Sequence, residues 1–452
     1  MASGSGFSHI PQNVECINTN YRTINTKIPV PESIELIQQL YKYESRSVHG
    51  QYPMIWDRAE DISVYDPYGN KWLDFTSTIF VANAGHSNKN ILNALQKMVN
   101  KPLLHSYTYP NLERIEYLKK LIGVTPDYLN KAYMVSSGTE TTEMALKLIR
   151  MANKDEKRSV VITFEGAYHG RTLGAQQLTG NASAKEWVRN QDPDIIHLGF
   201  PYPWIEEAKN ESYFEREMDK FCEKYNLDPE KDISGFIIET FQGWGAFFYP
   251  QEYIKALSNY CKKNRIIICF DEMQAGFGRT GKLFGFQHYD IEPDLVCLGK
   301  GASSGFPLSL LLGKKELMDI PDIGSMSSTH SANPLACAVG KANLEALCEE
   351  GLIENACKLG EHFHKRLREL SQKFNKYVLN SYGLGLLGAI VFKSTEHSVF
   401  CDKICEISFQ KGLLLVHTGR ESIKLAPPLS ITKEALDEGL DVLEEVFTDV
   451  IG

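Results

Sequence analysis

The sequence predicts an α/β fold, with a mostly parallel seven-stranded sheet flanked by helices in a large domain and a smaller α+β domain beside it. Three observations carry this. The chain has 452 residues, more than the ~100–200 of one simple core. Between about residues 133 and 313 one unit recurs, a short apolar run followed by a turn-rich segment and a polar or amphipathic stretch. Beyond about residue 330 the pattern changes to long helical segments and then short strands.

The apolar runs lie at 133–136, 159–164, 194–198, 235–239, 266–270, 295–298 and 308–312. They are short and rich in Ile and Val, as strands buried on both faces should be. Strands alternating with helical patterns imply a parallel sheet covered on both sides, with ligands at the carboxyl ends of the strands. Ahead of this core, 63–75 reads as a hairpin with Pro67 and Gly69 in its turn. After it, 333–351 and 354–375 read as helices, 386–392, 413–416 and 422–425 as strands, and 432–450 as a last helix. The expected division is 76–332 for the large domain and 333–452 for the small one, to which 1–75 contributes. The opening MASGSGF reads as an unstructured tail or an expression scar outside the fold.

Composition narrows the function. A hydrophobic fraction of 43% and a charged fraction of 23% are those of an ordinary globular protein. A net charge of -9 without a basic block argues against a nucleic-acid partner. The short run Lys262-Lys263-Asn264-Arg265 reads as a solvated helix end. No apolar run approaches the ~20 residues of a membrane span. Ten scattered cysteines, among them Cys269, Cys297 and Cys337 in apolar runs, predict buried free thiols in a reducing, cytoplasmic setting. No His or second Cys pair joins Cys401 and Cys405, so no metal site is expected.

The strand ends carry the chemistry. The first runs into Ser136-Ser137-Gly138-Thr139-Glu140 and then a helical pattern. Ser137 and Glu140 fit a capping box, and the same helix start is a ready phosphate site; taken alone, a simple cap is the favoured reading. The second strand ends in Glu165-Gly166-Ala167-Tyr168-His169-Gly170-Arg171, and the fourth in Glu239, followed by Gln242-Gly243-Trp244. The fifth gives Asp271-Glu272-Met273-Gln274. Two acidic residues there suggest a metal-dependent nucleotidase, but no Gly-x-x-x-x-Gly-Lys-Ser/Thr precedes them. The sixth delivers Lys300, where a desolvated lysine suits Schiff-base chemistry. A phosphate cradle, an aromatic, an aspartate and a lysine on one rim are what pyridoxal 5'-phosphate (PLP) requires.

In order along roughly 50–445, several motifs resemble the class III aminotransferases of PLP fold type I. They are Ser137-Gly138-Thr139, Tyr168-His169-Gly170-Arg171, Gln242-Gly243, IIICFDEMQAGFGRTG (266–281), Gly299-Lys300-Gly301, Asn333-Pro334-Leu335-Ala336 and Ala426-Pro427-Pro428-Leu429. The resemblance implies transfer of an amino group between an amine or amino-acid donor and a keto or aldehyde acceptor, by a ping-pong Schiff-base mechanism. In it, Lys300 holds the cofactor as an internal imine and moves the proton, while Asp271 pairs with the pyridinium. Gly138 and Thr139 hold the phosphate, and Thr329 reaches the phosphate of a neighbouring subunit's cofactor in a homodimer. Tyr168 and Met273 cover the two ring faces, Gln274 bonds the ring hydroxyl, and Glu239 supports the site.

Two departures bear on substrate. Relatives that take glutamate often carry an arginine two residues before Ala-Pro-Pro-Leu and a glutamate after Gln-Gly; this chain has Lys424 and Trp244. Lysine is a point charge rather than a bidentate fork. With Arg171 still able to bind a carboxylate and Ile79, Phe80 and Val81 adding apolar surface, the resemblance implies weaker selection for glutamate. A bulkier or ring-shaped partner is expected instead. Racemases, epimerases and phospholyases of the family share every cofactor residue and stand as the alternative. A decayed binding scaffold is disfavoured by intact Lys300, Asp271 and Gln274.

Overall fold

The computed structural model describes residues 6–452. At its centre stand β1 (Lys131–Val135), β2 (Val160–Phe164), β3 (Ile195–Leu198), β4 (Ile233–Glu239), β5 (Ile267–Asp271), β6 (Leu295–Leu298) and β7 (Ser309–Gly313). They form one sheet in the order β1-β7-β6-β5-β4-β2-β3. Pairing is parallel except at β7, which runs against both β6 and β1. Strands β2, β4, β6 and β7 are buried along their whole length, hence their unbroken apolar sequences.

Alternate side chains of one strand feed two cores. Ile237 and Cys269 pack with Leu148 and Ile149 of helix α1 (Gly138–Ala152) on one face. Phe236, Ile238 and Phe270 pack with Ile254 and Leu257 of helix α2 (Gln251–Asn264) on the other. Each fully buried Ile or Leu contributes ~1.5–3 kcal/mol, so helices on both sides are the stable arrangement.

The C-terminal part carries α3 (Pro334–Glu349), α4 (Leu352–Lys373) and α5 (Lys433–Ile451) against β8 (Val378–Leu384), β9 (Leu387–Phe392), β10 (Val416–His417) and β11 (Ser422–Leu425). These strands pair antiparallel in the order β8-β9-β11-β10. Helix α3 begins as its sequence directs, with Pro334 in the first turn and Asn333 Oδ1 accepting from Leu335 N at 2.9 Å. The hairpin of Ser63–Tyr65 and Lys71–Asp74 is present. Its turn is pinned by Asp66 Oδ1, which accepts from the backbone N–H of Tyr68 and of Asn70, both at 2.9 Å.

Three expectations change. The strand expected over 413–416 is two: Leu413–Leu414 joins the N-terminal sheet beside Lys71–Asp74, while β10 belongs to the C-terminal sheet. At the break, Tyr52 Oη donates to Leu415 O (2.8 Å) and accepts from Leu415 N (3.2 Å), taking over its sheet pairing. Strand β8 was not anticipated, because VLNSYGL is a half-exposed edge without an apolar alternation. The opening segment is not wholly a tail, since Phe7 stacks on Tyr52 with centroids 4.1 Å apart; residues 1–5 lie outside the described residues.

All ten cysteines are free, with Cys269, Cys297, Cys337, Cys401 and Cys405 buried. Among the described residues no helix is long and apolar enough to cross a membrane.

Candidate active site

Strand β6 ends at Leu298, and the chain passes at once into a 3-10 turn, Lys300–Ala302. Lys300 has φ 40°, a left-handed conformation that costs a residue with a Cβ ~1 kcal/mol or more. Close packing holds it there. A Cβ on Gly301 would overlap Asn83 Nδ2, an amide fixed by the Phe277 carbonyl at 2.9 Å. Burial lowers the Lys300 amine below its usual range, while Asp271 and Glu239 pull the other way. Among the described residues no group hydrogen-bonds its Nζ.

Asp271 closes β5 beside Glu239 at the end of β4. It is buried, with Oδ1 accepting from Met273 N at 3.0 Å and Oδ2 2.8 Å from His169 Nδ1. The other ring nitrogen of His169 lies 3.0 Å from Thr163 Oγ1. His169 therefore fixes the carboxylate from behind. The sequence placed this imidazole after a strand end but gave it no role; its signal was the pairing of β2 with β4 and of β4 with β5. The neighbouring acid Glu272 turns away, accepting from Gly285 N and Phe286 N at 2.7 Å and from Thr240 Oγ1. The two acidic residues thus point to opposite sides as the chain leaves the strand.

Burial, with Asp271 adding repulsion and His169 opposing it, pushes the Glu239 carboxyl up to about 7. Its Oε2 accepts from Tyr168 N at 3.3 Å. At the start of α1, Glu140 Oε2 accepts from the backbone N–H of Ser136 (3.0 Å) and Ser137 (2.7 Å). Gly138 and Thr139 follow as the first helical residues, whose N–H groups lack partners within the helix and favour an anion.

Gly138, Thr139, Tyr168, Glu239, Asp271, Met273, Gln274 and Lys300 line one cavity of about 260 Å³, and Arg171 lines it too. Thr329 does not; it lies on an exposed segment whose carbonyl is 2.7 Å from His105 Nε2.

The substrate candidates are placed differently from Arg171. Phe80 ends a left-handed turn in which Ser77, Thr78, Ile79 and Phe80 have φ of 45°, 50°, 61° and 69°. Ser77 Oγ donates to Ala426 O at 2.6 Å and accepts from the fully buried Arg279 at 3.1 Å. These bonds hold a conformation that costs ~1–3 kcal/mol per residue. They bury Phe80 against Phe241 and Ala275. Lys424 is buried, its Nζ 4.3 Å from the Phe80 ring centroid. It donates to Gly243 O (2.6 Å) and to Gln274 Oε1 (2.5 Å). Trp244 Nε1 donates to Gln242 Oε1 at 2.7 Å, and the Arg420 guanidinium lies 3.7 Å over its ring. That face is therefore closed to a substrate ring.

Known proteins resemble this chain over most of its length. The family model described as "Aminotransferase class-III" matches residues 44–447. The ornithine aminotransferase of Brevibacillus brevis is 32% identical, over 91% of this chain and 98% of its own. An alanine/serine racemase of Pyrococcus horikoshii is 30% identical, over 98% of this chain and 96% of its own. Among solved structures, an (S)-enantioselective omega-transaminase from Thermomicrobium roseum superposes with a TM-score of 0.84. It is 27% identical, over 92% of this chain and 99% of that one.

Proposed function

Because this chain belongs to the class-III aminotransferase family, we propose that the cavity holds pyridoxal 5'-phosphate on Lys300 and carries out the family's amino transfer there. The enzyme is a PLP-dependent aminotransferase of fold type I, moving an amino group between an amine or amino-acid donor and a keto or aldehyde acceptor. The observation that carries the site assignment is Lys300, an amine of lowered basicity without a hydrogen-bond partner, facing a helix start and a buried carboxylate in one cavity. The donor set suits the cofactor: N–H groups for the phosphate, Asp271 for the ring nitrogen, Gln274 for the ring hydroxyl, and Tyr168 and Met273 for the two faces. When bound, PLP supplies a carbonyl for imine formation and a ring that withdraws electrons. Lys300 forms the covalent link and holds or returns the proton at the substrate carbon. Its lowered basicity leaves more of the amine unprotonated for both tasks. Asp271, held by His169 and Met273 N, keeps its charge aimed at one point of the cavity.

The test is incubation of the loaded protein with single amino donors while the keto product and the cofactor's visible spectrum are followed. Transamination converts the cofactor to its amine form with stoichiometric keto product. Racemisation of the donor with the spectrum restored would favour the activity named for the Pyrococcus relative.

Arg171 is assigned the substrate carboxylate. Loss of a charge-assisted hydrogen bond of ~1.5–3 kcal/mol predicts that Arg171→Met raises KM for carboxylate-bearing substrates about tenfold or more. Amines without a carboxylate should change little. Equal effects on both substrate classes would remove the assignment.

The domain division at 76 and 333 is likewise proposed, supported by Leu413–Leu414 pairing with the N-terminal sheet. A homodimer with shared sites rests on Thr329 and on the exposed apolar residues Leu104, Tyr109 and Leu112 in the stretch that touches its segment. Mixing Lys300→Ala and Thr329→Ala subunits should give heterodimers with one intact site, recovering activity above the sum of the two parents. A fully active monomer in sedimentation would contradict it.

A further inference from the structure

Among the described residues no acidic side chain hydrogen-bonds the buried Lys424, which the sequence treats as a receptor for substrate. Its contacts point elsewhere. Its hydrogen bonds run to the protein, to Gly243 O at 2.6 Å and to Gln274 Oε1 at 2.5 Å. Phe80 sits beneath it, with Nζ 4.3 Å from the ring centroid. An ammonium only donates, so the Gln274 amide must turn its carbonyl to Lys424 and its NH₂ away from it. Gln274 lines the cavity and Lys424 does not.

We propose that Lys424 is a positioning residue that fixes the Gln274 amide with its NH₂ as the donor to the cofactor's ring oxygen. The inference rests on the assignment of this cavity to PLP.

Further geometry supports it. Gly243 is wedged between Glu239 and Gln274, since a Cβ on it would lie 2.7 Å from Glu239 Oε1 and 2.8 Å from Gln274 Nε2. The Gly243 N–H also donates to Glu239 and its carbonyl accepts from Lys424, so one residue ties the carboxyl to the amine. The amide therefore has a wall on one side and a cation on the other. The charged groups that act on Lys424 are Glu239 and Lys300, and burial brings its amine down to about 7. A neutral amine has a lone pair and accepts as readily as it donates. Loss of the proton would free the amide to rotate and present its carbonyl to the ring oxygen.

The experiment is a pH titration of the loaded enzyme's visible absorption, which follows protonation of the imine at Lys300. A donor to the ring oxygen stabilises its negative charge most when the imine is unprotonated, so it lowers the midpoint. Lys424→Met should raise that midpoint by about one unit, the equivalent of ~1.4 kcal/mol, and Lys424→Arg should keep it near the wild-type value. On a Gln274→Ala background, Lys424→Met should have no further effect, because the amide it acts through is gone. An unchanged midpoint in Lys424→Met overturns the proposal. So does an equal shift on the Gln274→Ala background, which would mean that the charge acts directly. Wild-type protein with no visible cofactor band would instead refute the PLP assignment on which the proposal stands.

Discussion

Lys300→Ala is expected to lose turnover by ~10⁴-fold or more, ~5.4 kcal/mol of transition-state stabilisation, because the proposed mechanism gives the covalent link and the proton to the same amine. Among the described residues no other lysine lines the cavity, and Lys424 is engaged by Gly243 and Gln274. The fold should survive. Lys300 makes no hydrogen bond that the substitution breaks, and its burial opposes its charge. Alanine at φ 40° carries the same backbone strain as lysine, so the melting temperature should move by only a few degrees. The variant should still take up PLP through the helix start at Gly138 and Thr139, but release it on dialysis, where wild type retains it. Turnover within tenfold of wild type would remove Lys300 from the mechanism.

The strands were readable because a strand buried on both faces leaves an apolar run that few other structures produce. Glu239, Asp271 and Lys300 were readable for a related reason: each ends such a run or follows it within two residues, so strand position fixes its place on the rim. Residues whose roles depend on distant partners were not. His169 needs Asp271 across two strand pairings, and the break at Leu415 needs Tyr52 from the far N-terminus.

Side-chain direction was the other gap. Motif position put Phe80, Trp244 and Lys424 at the substrate. The left-handed turn at 77–80 instead buries Phe80, Arg420 covers one face of Trp244, and Lys424 turns to Gln274. None of these directions follows from spacing, because each is set by packing between segments remote in sequence. Thr329 lies outside the cavity of its own chain, and the role proposed for it would fall to a second subunit.

Asp271→Asn is expected to lower kcat by about a hundredfold, ~2.7 kcal/mol. The substitution keeps shape and removes charge. Its amide oxygen can still accept from Met273 N, so the end of β5 should hold its place. What changes is the group proposed to meet the ring nitrogen: a carboxylate stabilises a proton there, and a neutral amide does not. The ring then withdraws electrons less strongly, and the cost falls on the step that removes the proton at the substrate carbon. His169 is affected as well, because a carboxylate accepts from Nδ1–H whereas an amide can also offer its NH₂ to that nitrogen. Two readouts separate charge from geometry. A substrate deuterated at the reacting carbon should show a larger kinetic isotope effect in Asp271→Asn, since proton removal becomes slower than the other steps. His169→Gln, which retains the Asp271 charge but loosens its support, should cost less than Asp271→Asn and leave the isotope effect closer to wild type. A loss below threefold in Asp271→Asn would mean that its charge does not act on the ring.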